Sequence, residues 1–252
     1  MLENIEGVVI KTRNYGETHK IITIFSHKLG KLNGIARGSN RPKSRMAAVT
    51  QPFIYGNYLV YVSRGLSTIQ QGETLEYFRK IREDIIKTAY VAYIMELTDK
   101  LMEEKQPEPF IYQQFIQTLH WVNDFSGAEF NIEIPIMMYE LKLYAYGGFA
   151  PVVEHCANCQ NKHKQIVSFS IQFGGLLCLE CSSKDQRAIR ISQNMAKLFH
   201  LLRHITIERL GNISVKEKNI QFMRKIINSY YDTYGSYYLK SRNFLKQLDL
   251  LK

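Results

Sequence analysis

The spacing of apolar residues changes character once along the chain, at Phe78, and this constrains the fold more than any other feature. Before Phe78, apolar residues alternate with polar ones over short runs, the period of strands with one buried face. After it they recur every three to four residues, as in amphipathic helices. Ile5, Val8 and Ile10 open a first run that reaches Lys11 and Arg13 and breaks at Tyr15-Gly16. Residues 20–25 form a second run, Leu29-Gly30-Lys31 supplies a turn, and residues 32–36 form a third. The stretch 37–43, Arg-Gly-Ser-Asn-Arg-Pro-Lys, opposes regular structure, and further runs follow at 53–62 and 68–74. Five short strands predict a small barrel of the OB type.

Beyond Phe78, the spacing of Ile81, Ile85, Ala89, Ala92, Leu97 and Leu101 predicts one long helix ending near Glu104. Gln106-Pro107-Glu108-Pro109 stops it, because proline cannot continue a helix. Further helices are expected at 110–122, 132–146, from Ile191, at 215–230 and at 235–249. The expected fold is therefore α+β. An N-terminal five-stranded OB-fold barrel, residues 1–78, precedes an α-helical domain, residues 79–252, with a metal-binding element inserted at 151–184.

That element holds all four cysteines, as Cys156-Ala-Asn-Cys159 and Cys178-Leu-Glu-Cys181, with eighteen residues between the pairs. Two Cys-x-x-Cys knuckles at this separation let four thiolates converge tetrahedrally on one Zn2+ ion, which makes the site closed and structural. His155 and His163 lie close by, but four cysteines already complete the shell. Gly174-Gly175, just before the second pair, is expected to allow a tight backbone approach to the metal.

Charge is distributed unevenly. The chain has 33 lysines and arginines against 23 acidic residues, and residues 1–82 hold 13 of the former but only 5 of the latter. No acidic residue occurs between Thr18 and Gly72, where Lys20, Lys28, Lys31, Arg37, Arg41, Lys43, Arg45 and Arg64 fall. Such a cluster repels itself and is relieved by a polyanion, so a DNA-binding face is expected there; a solvated basic surface is the plainer alternative. The loop is expected to spread its charges along a flexible arm. Tyr15, Phe25, Phe53, Tyr55, Tyr58 and Tyr61 interleave with them; some can stack on bases, while most are expected to pack the barrel.

The absences are informative too. There is no phosphate-binding loop, dinucleotide fingerprint, zinc-protease motif or nucleophile elbow, so a non-enzyme is expected. No apolar run is long enough for a membrane helix, and MLENIEGVVI lacks the features of a signal peptide, so the expected compartment is the cytoplasm with no membrane partner. The C-terminal third mixes Lys216, Lys218, Arg224, Lys225, Lys240, Arg242 and Lys246 with Tyr230, Tyr231, Tyr237, Tyr238, Phe244 and Leu245. That pattern suits either ordinary helix packing or an apolar groove with a basic rim for an acidic peptide.

Several local sequences occur together in a fixed order: Glu6-Gly7-Val8-Val9-Ile10-Lys11-Thr12-Arg13, Tyr15-Gly16-Glu17-Thr18, Gly30-Lys31-Leu32, Ala36-Arg37-Gly38 and Gln51-Pro52-Phe53. Leu141-Lys142-Leu143, Gly147-Gly148-Phe149-Ala150-Pro151 and Phe173-Gly174-Gly175-Leu176-Leu177-Cys178 follow. Over nearly the whole chain this series resembles the RecO family of recombination-repair proteins, in the cysteine-bearing version of Gram-positive bacteria. The resemblance implies an OB-fold, a helical body and a zinc element. It also implies a bacterial, nucleoid-associated protein that binds single- and double-stranded DNA, anneals complementary strands and helps load RecA onto DNA coated by single-strand-binding protein. The implied partners are RecR and the acidic C-terminal tail of single-strand-binding protein. Basic OB-fold residues contribute to DNA binding in the family and match Lys31, Arg37, Arg41, Lys43 and Arg45; there are no catalytic residues to carry over. A protein-interaction scaffold, whose basic barrel meets an acidic protein, is the alternative.

Overall fold

A computed structural model describes residues 1–211 and 215–250. The chain divides into two compact units, Met1–Asp124 with Leu239–Lys252, and Phe125–Tyr238.

In the first unit, β1 (Leu2–Tyr15), β2 (His19–Ser26), β3 (Gly30–Ala36), β4 (Tyr55–Tyr61) and β5 (Ser67–Glu76) close a barrel in the order β1-β2-β3-β5-β4. One long strand serves both sides: Leu2–Val8 pairs with β4 and Gly7–Tyr15 with β2. A register shift between Val9 and Lys11 bends it so that both pairings fit. Alternation supplies the core, with Ile5, Val9, Ile22, Ile24, Leu32, Ala36, Tyr58, Val60 and Ile69 facing inward. The connection from β3 to β4 begins irregularly, as expected, but then forms a short helix, α1 (Arg45–Val49). Ser44 caps it, accepting from the Met46 N–H, and Val49 inserts into the barrel core, where its carbonyl accepts from the Tyr58 hydroxyl at 2.9 Å.

The long helix expected from Ile81 to Glu104 is two helices, α2 (Arg79–Arg82) and α3 (Ile85–Leu101). The break falls at Asp84, whose carboxylate accepts from the Ile86 and Lys87 N–H groups at 2.8 and 3.1 Å and so starts a new helix. Next, α4 (Pro109–Asp124) lays Tyr112 and Phe115 edge-on against Phe25 of β2, with ring centroids 5.5 and 5.4 Å apart.

The second unit is built around α5 (Glu133–Tyr146), which is buried on all sides. Its polar groups are therefore paired: Glu133 and Glu140 each accept from Arg224 at 2.6 Å, and the Lys142 ammonium donates to the carbonyls of Leu202 and Ile205. A small three-stranded sheet follows, from β6 (Ile166–Ser170), β7 (Gly175–Cys178) and β8 (Ile189–Arg190), with the one-turn α6 (Leu179–Ser182) after β7. Helices α7 (Gln193–His204) and α8 (Glu217–Tyr234) complete the unit. The last helix, α9 (Lys240–Leu250), belongs to the first unit; Glu96 of α3 accepts from the N–H groups of Lys240 and Ser241. Among the described residues no helix is long and apolar enough to cross a membrane.

Candidate metal centre and nucleic-acid face

The four cysteines converge. Cys156 and Cys159 sit on a turn closed by the Gln160 N–H donating to the Cys156 carbonyl at 2.8 Å, while Cys178 ends β7 and Cys181 lies in α6. The turn is held to β7 by the Ala157 N–H donating to the Leu176 carbonyl at 2.7 Å. All four sulfurs lie within 4.8 Å of one another. Those of Cys159 and Cys178 are 3.9 Å apart. A tetrahedron with the usual zinc–sulfur bond has an edge of about 3.8 Å. The Cys178 N–H points at the Cys156 sulfur at 3.4 Å and the Asn158 amide at the Cys181 sulfur at 3.2 Å, contacts that favour thiolates. Burial works against the Cys156 thiolate, but N–H groups of Cys159, Cys178 and Asn158 outweigh it and hold Cys156 at about 6. Burial pushes Cys178 up to about 12. The set can hold a metal ion, and with four protein ligands it leaves no position open for chemistry.

Gly175 has a different reason from the one expected. A Cβ there would meet the Val152 carbonyl oxygen at 2.3 Å, so the glycine admits a neighbouring backbone, bridged to it by the Leu176 N–H on Val152, rather than a metal.

Of the basic residues picked out on the barrel, all but Arg64 fall into three settings. Arg37, Arg41, Lys43 and Arg45 all lie on the β3–β4 connection, all are exposed, and none forms an ion pair with a described residue. Their connection is a hydrogen-bonded run of turns and not a loose arm. Asn40 donates from its backbone to Thr18 and from its side chain to Asn14, and the Gly38 N–H donates to the His19 ring, at 2.9–3.0 Å. These bonds fix the four cations beside the β1–β2 turn. Lys20 is buried, on the inward-facing register of β2 with Ile22 and Ile24. At the other end of β3, about 20 Å away by strand rise, Lys28 pairs with Glu3 at 2.5 Å. Lys31, also at that end, donates to the backbone carbonyl of Asp99. Burial lowers the Lys31 ammonium below the ordinary lysine range despite the nearby Asp99 and Glu104.

A groove of about 440 Å³ runs over the outer face of β1, β2 and β3. Register places Lys11 beside Thr23 and Thr23 beside Asn33, with Arg13 next to Ile21 in the following row. The β4–β5 loop, Arg64 to Leu66, forms one wall, and Asp99 and Glu104 form part of another. The aromatic residues divide as follows: Phe25 and Tyr58 are buried, while Tyr15 and Tyr61 are exposed. Lys11 and Arg13 had not been singled out as site residues, although their spacing of two on an alternating strand puts both outside the barrel.

Sequence comparison gives matches to two known families along this chain. Residues 1–78 match the family described as "Recombination protein O N terminal", and residues 82–243 match "Recombination protein O C terminal". The chain belongs to the RecO family. The DNA repair protein RecO of Oceanobacillus iheyensis is 53% identical to it over 249 residues, covering 99% of this chain and 95% of the relative. Proteins of the same name from Bacillus cereus and Bacillus anthracis are 42% identical, covering 99% of this chain and 98% of theirs. The RecO N-terminal match ends two residues after β5, so it takes in the barrel and its basic connection, and the RecO C-terminal match contains the cysteine cluster.

Proposed function

We propose that this RecO-family chain is a non-enzymatic mediator of DNA repair and recombination that acts in the bacterial cytoplasm, associated with the nucleoid. Residues 1–78 are the DNA-binding domain and residues 79–252 the helical domain. It binds single- and double-stranded DNA, anneals complementary strands and, with RecR, helps load RecA onto DNA coated by single-strand-binding protein, whose acidic C-terminal tail it contacts. Cys156, Cys159, Cys178 and Cys181 hold one structural Zn2+.

The observation that carries the DNA-binding reading is the placing of Arg37, Arg41, Lys43 and Arg45 on one fixed, exposed connection of an OB barrel, without carboxylate partners among the described residues. Cations spaced this way bind phosphates without regard to base sequence. The outer face of strands 2 and 3, with the β4–β5 loop, is where OB folds take oligonucleotides, and the groove bearing Lys11, Arg13 and Arg64 lies there. Neutralising two backbones on one protein lowers their repulsion and favours annealing, and none of this needs nucleotide hydrolysis. Family membership and the relatives' name support the repair role. The test is affinity for a mixed-sequence oligonucleotide as salt rises: a steep fall supports DNA as the polyanion, whereas no binding favours an acidic protein as the partner of the barrel.

A further inference from the structure

The β-barrel is not closed by strand pairing alone. Parallel pairing of β3 with β5 covers only Gly34–Ala36, which leaves the backbone of Lys31 to Asn33 with an edge to satisfy. The segment after α3 fills that edge. Lys105 donates its N–H to the Lys31 carbonyl at 2.8 Å, and Glu104 accepts from the Asn33 side chain at 3.0 Å and its N–H at 3.3 Å. The fit at Gly30 is so close that a Cβ would lie 2.1 Å from the Gln106 carbonyl oxygen. Lys105 also reaches the opposite wall, donating its ammonium to the carbonyls of Ser63, Arg64 and Gly65 at 2.7, 2.9 and 3.0 Å. This segment therefore pins the loop that carries Arg64.

Its carboxylates matter more. Asp99, at the end of α3, holds the Lys11 ammonium at 2.6 Å and lies 3.9 Å from that of Lys31. Asp99 and Glu104 both line the groove, and Asp99 is only 12% exposed there. On a surface with a surplus of cations, the exposed Lys11 ammonium that lines the groove is already matched to an internal anion, while Lys31 is half-buried and bonded to the Asp99 backbone carbonyl.

Resting on the reading of this face as the DNA face, we propose that Asp99 is an internal stand-in for a DNA phosphate. It holds Lys11 in position while the groove is empty, and it yields this ammonium to the strand at the cost of a like-charge contact between carboxylate and phosphate. The consequence is attenuated affinity, which suits a protein that must hold DNA and then hand it on. Asp99 is a positioning residue for Lys11.

The test is fluorescence anisotropy with a labelled single-stranded oligonucleotide of mixed sequence, at several salt concentrations, using the wild-type chain, Asp99→Asn, Lys11→Ala and the double variant. Removing the charge of Asp99 while keeping its shape frees the Lys11 ammonium, so the salt slope steepens by about 0.7 and binding tightens by about threefold. Lys11→Ala then costs more in the Asp99→Asn background than in the wild type, a coupling that a purely structural role for Asp99 would not produce. Binding by Asp99→Asn equal to or weaker than that of a DNA-binding wild type overturns the proposal alone. No binding by either protein overturns the reading of the barrel as a DNA face. Should Asp99→Asn not fold, Asp99→Ser, which removes the same charge with a smaller side chain, carries the same expectation: tighter binding supports the proposal and unchanged or weaker binding refutes it.

Discussion

Replacing Arg37, Arg41 and Lys43 together by alanine separates a functional charge cluster from a solvated one, and the structure sets the size of the effect. These residues are exposed, sit on a connection whose fold depends on Asn40, Gly38 and Ser39, and make no described ion pair, so their removal leaves the barrel intact. Each cation that neutralises a phosphate of a single strand contributes about 0.7 to the slope of log affinity against log salt. Losing three lowers the slope by about 2. Between 50 and 200 mM salt the logarithm changes by about 0.6, so the variant loses some 15-fold less affinity over that range than the wild type does. Anisotropy titrations of one labelled oligonucleotide at four salt concentrations measure both slopes. Lys28→Ala serves as the control, because Lys28 is already paired with Glu3 and its loss leaves the slope unchanged. An unchanged slope in the triple variant would place the DNA elsewhere and refute the reasoning.

Three further outcomes follow from the packing. Cys178→Ser removes one of four converging sulfurs, so bound zinc falls below one per chain by elemental analysis and the unfolding temperature drops; a metal-free variant as stable as the wild type contradicts a structural ion. Lys142 is buried, which lowers its ammonium from 10.5 to about 8. Between those values the unfolded chain carries a proton that the folded chain has shed, so stability rises with pH across the window, by roughly 3 kcal/mol. Lys142→Met lacks this rise, and urea unfolding of the two proteins from pH 7 to 10.5 tests it, with parallel curves as the refuting result. Gly30→Ala combines a left-handed φ of +63° with a clash against Gln106, so it destabilises by about 1–3 kcal/mol, and a loss too small to resolve in the same assay contradicts the docking of that segment.

The barrel was legible because alternation is a local property: Ile22 and Ile24, or Tyr58 and Val60, declare an inward face without knowledge of their neighbours. The short helix α1 was not, since Met46 and Val49 alone are too few to establish a period. Ile81 and Ile85 keep helical spacing across a break, and the signal that outranks them is Asp84, an N-cap residue directly before an apolar run. At the cysteine cluster the candidate ligands follow from spacing, because few residues separate each pair. The role of Gly175 depends on Val152, twenty-three residues earlier, and no local pattern points to it. The same holds on the basic face of the barrel. Its cations are plain in the sequence, whereas the carboxylate that holds Lys11 comes from Asp99, 88 residues away, and only folding brings them together.

The mediator role is tested most directly by annealing complementary strands precoated with cognate single-strand-binding protein, with and without this chain and in the absence of nucleotide. Acceleration that vanishes when the coating protein lacks its acidic tail is the expected result. No acceleration by a chain that demonstrably binds the same DNA would contradict the mediator role and leave a DNA-binding module alone.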